Sequence, residues 1–272
     1  MNINLVYLYL LSPLHTGGAT QEGNLLGIAR ESHTNIPYLP SSTIRGRLRA
    51  SETDKKKQYK LFGTELKSGE ENSGGSTDSN KLVQGDIWIG DGSILWLPVP
   101  SLSHGVVWIS SPMLLQRWAR LNALPSKIPT EYSCSFKQSN TSVYLKDAVL
   151  KANDLKEWKN WQEFVPKSAE TNNITRLLVI PDRHCETLIQ MGLWRQVKVK
   201  LDEHKNVSGG FRYEEAIPPD TLVYFPWGIT SQANGSRQQS ETDFKALLGN
   251  NTILQIGGQE SLGRGFVQQW LG

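Results

Sequence analysis

Three short stretches hold the residues with the greatest capacity for chemistry. The first is IPYLPSSTIRGRLRAS (36–51), which sets Arg45, Arg47 and Arg49 around Gly46. Pro37 and Pro40 hold the approach extended, and Ser41 or Ser42 suits a helix N-cap. Ile44 and Leu48 are four apart and share a face that can be buried. Arg45 and Arg49, also four apart, share a neighbouring face, and Arg47 flanks the apolar stripe on the other side. A glycine inside a helix costs about 1 kcal/mol against alanine, so Gly46 suggests a close approach. Open N–H groups at a helix start beside arginines suit a phosphate chain. A surface helix with merely solvated arginines is the competing reading.

The other two stretches are glycine loops, HTGG (15–18) and GGQESLGRG (257–265). Gly257, Gly258, Gly263 and Gly265 permit positive φ and let backbone N–H groups approach an anion, and Arg264 adds charge. A tight hairpin without a ligand accounts for them equally well. Neither loop has the spacing of a nucleotide-binding enzyme motif. His15 stands beside Gly17 and Gly18, with Glu22 and Glu31 further on. Metal-assisted phosphodiester cleavage wants a carboxylate to hold a hydrated divalent ion or orient a hydroxyl. Glu22 is the candidate for that catalytic role. There is no G-x-S-x-G and no H-x-x-x-H pair. Cys134 and Cys185 are far apart, so neither a resident metal nor a disulfide framework is expected.

The elements that must position these residues read as a hairpin-rich chain. Residues 2–12 form an apolar first strand that stops at Pro13, too short for a membrane span and without a basic leader region. A cytoplasmic protein is expected, with no membrane partner. Residues 68–80 are polar and rich in glycine and serine, and read as a flexible surface loop. Asp91-Gly92 between alternating apolar runs predicts a hairpin over 85–101. Ser111 predicts a capped amphipathic helix. The 122–172 segment reads as a helical or irregular insertion, with Trp158 and Trp161 either packed on the core from a helix face or stacking bases. Residues 176–182 form a buried strand and 183–194 a helix. VKVKLDEHKNVSGGFRYEE is a hairpin over 196–216, carrying Lys200, His204, Lys205 and Val207 towards its turn. Strands with few helices predict α+β: an antiparallel sheet with helices on one face.

Totals fit one domain of 272 residues with insertions: 38% hydrophobic and 20% charged, with a net charge of only +3. That balance argues against a purely electrostatic, tail-like nucleic-acid binder. The positive charge is uneven, concentrated at Arg45, Arg47, Arg49, Lys55, Lys56, Lys57 and Lys60.

In order along the chain stand LSPLHTGG, ARESHTNIPYLPSSTIRGRLR, LFG, GDIWIGDGSILWLPVPSLSHGVVWISSPMLLQRW, KLDEHKNVSGGFRYEEAIPPDTLVYF and IGGQESLGRGFV. This series resembles the RAMP superfamily of CRISPR proteins, and within it the repeated backbone subunit of type III-B (Cmr) effector complexes. The blocks cover about two-thirds of the chain. The resemblance implies a ferredoxin-like (RRM-type) core with insertions, a palm, and a thumb-like hairpin at 196–216. It implies stacking of copies along CRISPR RNA, a single-stranded target RNA, and other type III effector subunits as partners. The arginine helix and the glycine loops would bear on guide phosphates without reading sequence. No cofactor is implied for RNA binding; Mg2+ or another divalent cation is implied if target RNA is cut. Members that cut carry an aspartate ahead of the Arg-Glu pair. Here the count falls on Leu25 or Asn24, neither of which supplies a carboxylate. A non-cutting backbone subunit is the first expectation, and a divalent-metal endoribonuclease using Glu22 the alternative. A precursor-processing nuclease using His15 is a weaker third.

Overall fold

The computed structural model describes residues 3–17, 21–22, 25–64, 83–122, 127–136, 141–231, 233 and 235–272. The expected loop at 68–80 lies outside the described residues. The chain opens with β1 (Asn4–Leu10) and two short strands, β2 (Gln21–Glu22) and β3 (Leu25–Leu26). Then come β4 (Tyr38–Leu39), helices α1 (Ser41–Ser51) and α2 (Lys55–Phe62), β5 (Ile87–Ile89), β6 (Gly92–Ser101), β7 (Gly105–Ser110) and α3 (Pro112–Leu121). The middle contains β8 (Ser133–Cys134), β9 (Val143–Leu145), β10 (Ala148–Leu150), β11 (Lys156–Glu157) and β12 (Leu177–Val179). The last third is α4 (Asp182–Gly192), β13 (Trp194–Leu201), β14 (Val207–Ala216), β15 (Leu222–Ile229), α5 (Arg237–Asn250), β16 (Ile253–Gln255) and β17 (Phe266–Leu271).

Among the described residues thirteen strands form one sheet whose main path runs β11-β8-β12-β7-β6-β15-β1-β17-β16. A second sheet of four runs β13-β14-β3-β2. The unbroken apolar run of β1 explains its central place. Val6, Leu8 and Leu10 join one hydrophobic cluster, while Leu5, Tyr7 and Tyr9 join another on the opposite face. β15 splits in the same way, with Val223, Phe225 and Trp227 against Leu222 and Tyr224. Both faces are therefore covered, which corrects the expectation of helices on one face only. Ile44 and Leu48 of α1, Leu61 and Phe62 of α2, Cys185 and Ile189 of α4 and Phe244 of α5 cover the first face. Leu115 and Trp118 of α3, with Phe164 and Ile174, cover the second. Each fully buried side chain of this size contributes about 1.5–3 kcal/mol.

Other expectations are refined. The sheet is mixed: β7 and β12 run parallel. The predicted hairpin about Asp91-Gly92 does not form. β5 and β6 follow one another along the same edge of β15, with Ile89 opposite Trp227 and Ser93 opposite Tyr224. Gly90 lies against Pro226, where a Cβ would come within 2.7 Å of the proline ring, so the Gly-Asp-Gly run is a step in one edge. The actual hairpin joins β6 to β7 through 102–104. The described residues of the 122–172 segment form short strands and 3-10 turns, one of them Trp161–Phe164. Trp158 packs 5.2 Å from Phe164 and 6.2 Å from Trp96, and Trp158 and Trp161 both border the second cluster. That is the core-packing alternative, reached without a helix. The 196–216 hairpin is present as β13 and β14, with its turn at 202–206 closed by Asp202 Oδ1, which accepts from the N–H groups of His204 and Asn206.

Candidate nucleic-acid interface

Two of the three α1 arginines point inward. Arg45 donates to the carbonyls of Phe62 and, at 3.4 Å, Ile87, and its guanidinium lies 5.8 Å from the Phe62 ring centroid. Arg49 donates to the Gly63 carbonyl at 2.8 Å. Together they satisfy the open carbonyls at the C-terminal end of α2, where cations are favoured. The Leu-Phe-Gly motif explains the fit: Gly63 takes φ +73, and a Cβ there would come within 2.2 Å of the Val83 carbonyl oxygen. Burial, and then the neighbouring Arg49 charge, lower the Arg45 pKa. Arg47 is half-buried, and its Nε has no hydrogen-bond partner among the described residues. Ser42 and Gly46 are exposed, and a Cβ at Gly46 would touch nothing in this chain. Neither Ser41 nor Ser42 is the N-cap. That position is Pro40, and the Ser41 N–H is taken by Asp91 Oδ1 at 2.6 Å. A carboxylate from the neighbouring edge step thus replaces the local serine.

The two glycine loops meet. The Gly258 N–H donates to the His15 carbonyl at 3.0 Å, and the Gly265 N–H to the Pro13 carbonyl at 2.9 Å. Gly257 and Gly265 are glycines of necessity: both have positive φ, and a Cβ would come within 2.4 Å of His15 O and 1.9 Å of Ile256 O respectively. Gly263 also has positive φ but faces open space. Arg264 is not a free anion binder. It is 3% exposed, stacks 4.4 Å over Trp194, lies 3.1 Å from Glu214 and donates to Gln196 and Gln259. The contact with Glu214 Oε2 is a charge contact without hydrogen-bond alignment. His15 is likewise buried, and its Nδ1 donates to the Glu215 carbonyl at 2.9 Å. A carbonyl can only accept, so the proton sits on Nδ1.

Adjacent acids at the root of the hairpin organise this region, and sequence reasoning passed over them. Glu215 accepts from Arg30 at 2.6 Å and from Arg195 Nε at 2.9 Å. Glu214, on the other face of β14, pairs with Lys198 at 2.7 Å as well as with Arg264. Burial pushes the Glu214 carboxyl up, but the hydrogen bond from Lys198 and the charges of Lys198 and Arg264 outweigh it and hold the pKa below its ordinary value. The available signal was a strand, FRYEEA, ending in two consecutive acids just where it runs into the core.

Around Glu215 opens a polar cleft of about 800 Å³. Gly17, the 27–32 loop, Tyr38 and Pro40 ahead of α1, Gln190 and Arg195 border it. The first glycine loop, the approach to α1 and the hairpin root therefore share one concavity, with the 257–265 loop packed behind it. Lys200, His204, Lys205 and Val207 do not reach it; they lie at the far, exposed end of the hairpin. Glu22 is in β2, paired with Leu25 of β3, while Gly18 and Asn24 lie outside the described residues. Among the described residues no group of three or more His, Cys, Asp or Glu side chains could hold a metal ion, and no helix is long and apolar enough to cross a membrane.

Known proteins with similar sequences and folds point one way. The CRISPR system Cmr endoribonuclease Cmr4 of Pyrococcus furiosus is 28% identical over an alignment 296 positions long, gaps included, covering 98% of this chain and 95% of that protein. A crystal structure of oligomeric Cmr4 from the same organism matches 100% of this chain and 98% of its own, with a TM-score of 0.70 and 25% identity. A chain of the type III-B Cmr-beta complex in its apo state matches with a TM-score of 0.74, covering 99% and 96%, and at 18% identity it speaks for the fold alone. Residues 7–268 match the RAMP superfamily, from within β1 to within β17, and the chain belongs to that superfamily.

Proposed function

We propose that this protein is the repeated, guide-binding backbone subunit of a type III-B CRISPR effector complex. Copies would stack along a CRISPR RNA, beside other effector subunits, and hold a single-stranded target RNA for pairing. One observation carries the reading: the first glycine loop, the approach to α1 and the hairpin root border a single polar cleft. A sugar–phosphate chain needs such a concavity lined by backbone and cationic groups rather than base-reading side chains. The full-length likeness to Cmr4, known as an oligomer in the crystal, supports stacking of copies. In this reading the large sheet is the palm, built on a ferredoxin-like core, and β13–β14 is the thumb. Lys200, His204, Lys205 and Val207 at its tip would press on the guide–target duplex. On α1, exposed Ser42 and Gly46 with Arg47 present the surface along which a phosphate backbone can lie, while Arg45 and Arg49 hold that surface in shape from behind.

The similar P. furiosus protein is named an endoribonuclease. In this chain the position ahead of Arg30 where a cutting member carries its aspartate falls on Leu25 or Asn24, neither of which supplies a carboxylate. The reading proposed is therefore guide binding, with metal-dependent cleavage through Glu22 as the alternative. Full-length protein assembled on a guide and challenged with a labelled complementary RNA and Mg2+ tests both halves. Retention of the guide together with intact target is the expected result. Regularly spaced products that vanish in Glu22→Ala would establish the nuclease instead, and failure to retain the guide would overturn the backbone assignment.

A further inference from the structure

The cleft at the hairpin root contains two guanidinium groups around one carboxylate. Arg30 donates through Nη1 to Gln190 and through Nη2 to Glu215. Arg195 uses only Nε, towards Glu215 Oε1 at 2.9 Å, and its side chain is 57% exposed. Among the described residues both its Nη groups are left open. Glu215, 2% exposed, is held in turn by its strand, by Arg30 and by the bond from His15 to its carbonyl. An arginine pinned at Nε by a buried acid has its orientation set before any ligand arrives, with the two-pronged edge of its fork still to be filled. Glu31, the other acid on the rim, is already neutralised by Arg117 at 2.9 Å. The cleft therefore carries one positive charge in excess. Asn35, Ser32 and Tyr38 on the same wall supply neutral hydrogen-bonding groups.

We propose that Arg195, oriented by Glu215 and backed by Arg30, is a phosphodiester cradle, taking one backbone phosphate of a bound RNA on its Nη edge. The inference rests on the RNA-binding reading and deepens it. It moves the principal phosphate contact from α1, where Arg45 and Arg49 spend their donors on carbonyls, to the root of the hairpin. A single excess charge matches the single charge of a phosphodiester. Glu215 acts through Arg195 and is a positioning residue.

Binding of a labelled single-stranded RNA to the full chain, measured by fluorescence anisotropy over a salt series, tests this. Arg195→Ala should weaken binding about tenfold and lower the salt slope by about one. Arg195→Lys keeps the charge but not the fork, so it should keep the slope and still bind weakly. Glu215→Gln should weaken binding in the wild type and have little effect in Arg195→Ala, because its contribution passes through that arginine. Lys245, paired with Glu241 on α5, is the control for losing a charge elsewhere. If Lys245→Ala matches Arg195→Ala, or Arg195→Lys binds like wild type, or Arg195→Ala binds like wild type, the cradle is overturned while RNA binding stands. If the wild type binds no RNA, the backbone reading fails and the cradle with it. Inorganic phosphate displacing RNA in the wild type but not in Arg195→Ala would support the cradle. Equal displacement in both would place the anion site elsewhere and overturn it.

Discussion

The arginines of α1 and those at the hairpin root are alike in composition and opposite in use. Arg45 and Arg49 spend their donors on the carbonyl end of α2, whereas Arg195 spends one nitrogen and leaves the fork open. Arg264 goes further than either, buried between a tryptophan ring and a carboxylate. The difference separates cations that build the surface from those whose donors stay open on it. Local charge density does not separate them; the carbonyls and carboxylates brought near them do.

The strongest way to break this comparison is at Arg264. Replacing it with alanine leaves buried Glu214 with Lys198 as its remaining ion-pair partner and should cost about 3 kcal/mol in urea denaturation. A loss below about 0.5 kcal/mol would make Arg264 a surface residue after all. Arg45→Ala should cost about 2 kcal/mol through hydrogen bonds lost from a charged donor, and leave the RNA affinity of the folded protein unchanged. Weaker RNA binding with unaltered stability would restore α1 as the phosphate clamp. Glu214 sharpens the comparison through pH. Its pKa is lowered on folding, so its pairing stabilises the protein above the ordinary carboxylate pKa and is lost as pH falls through the lowered folded value. Urea midpoints measured from neutral pH down into the acid range should fall less steeply in Glu214→Gln than in wild type. Parallel curves would count against the pairing. The smallest effect belongs to the exposed hairpin tip, where His204→Ala and Lys205→Ala should each shift stability by no more than about 0.5 kcal/mol, read from thermal melts.

Much of the fold was legible where local pattern and tertiary outcome agree. The apolar run of β1, the Ser111 cap on α3 and the alternation of β13 against β14 each specify their element by periodicity or by a local hydrogen bond. The Asp91-Gly92 signal misled, because a turn dipeptide predicts a hairpin only if the flanking strands are each other's partners. β15 accepts both along one edge instead. Ser41 and Ser42 misled for a related reason: a cap can be supplied in trans, and Asp91 supplies it. At the candidate site the glycine positions were readable, since Gly257 and Gly265 are required by close backbone approach. Arg30, Arg195 and Glu215 were not, because they lie 165 and 20 positions apart along the chain (195 − 30 and 215 − 195) and share no motif.

By itself the sequence determined the apolar first strand, the backbone positions open only to glycine, and the blocks that mark the RAMP superfamily. Those depend on neighbours along the chain: side-chain alternation, φ, and short-range hydrogen bonds. Only the tertiary structure decided which cations keep donors open. An arginine's availability is set by the acceptors that folding brings within about 3 Å of it, and those come from distant strands, helix ends and loops.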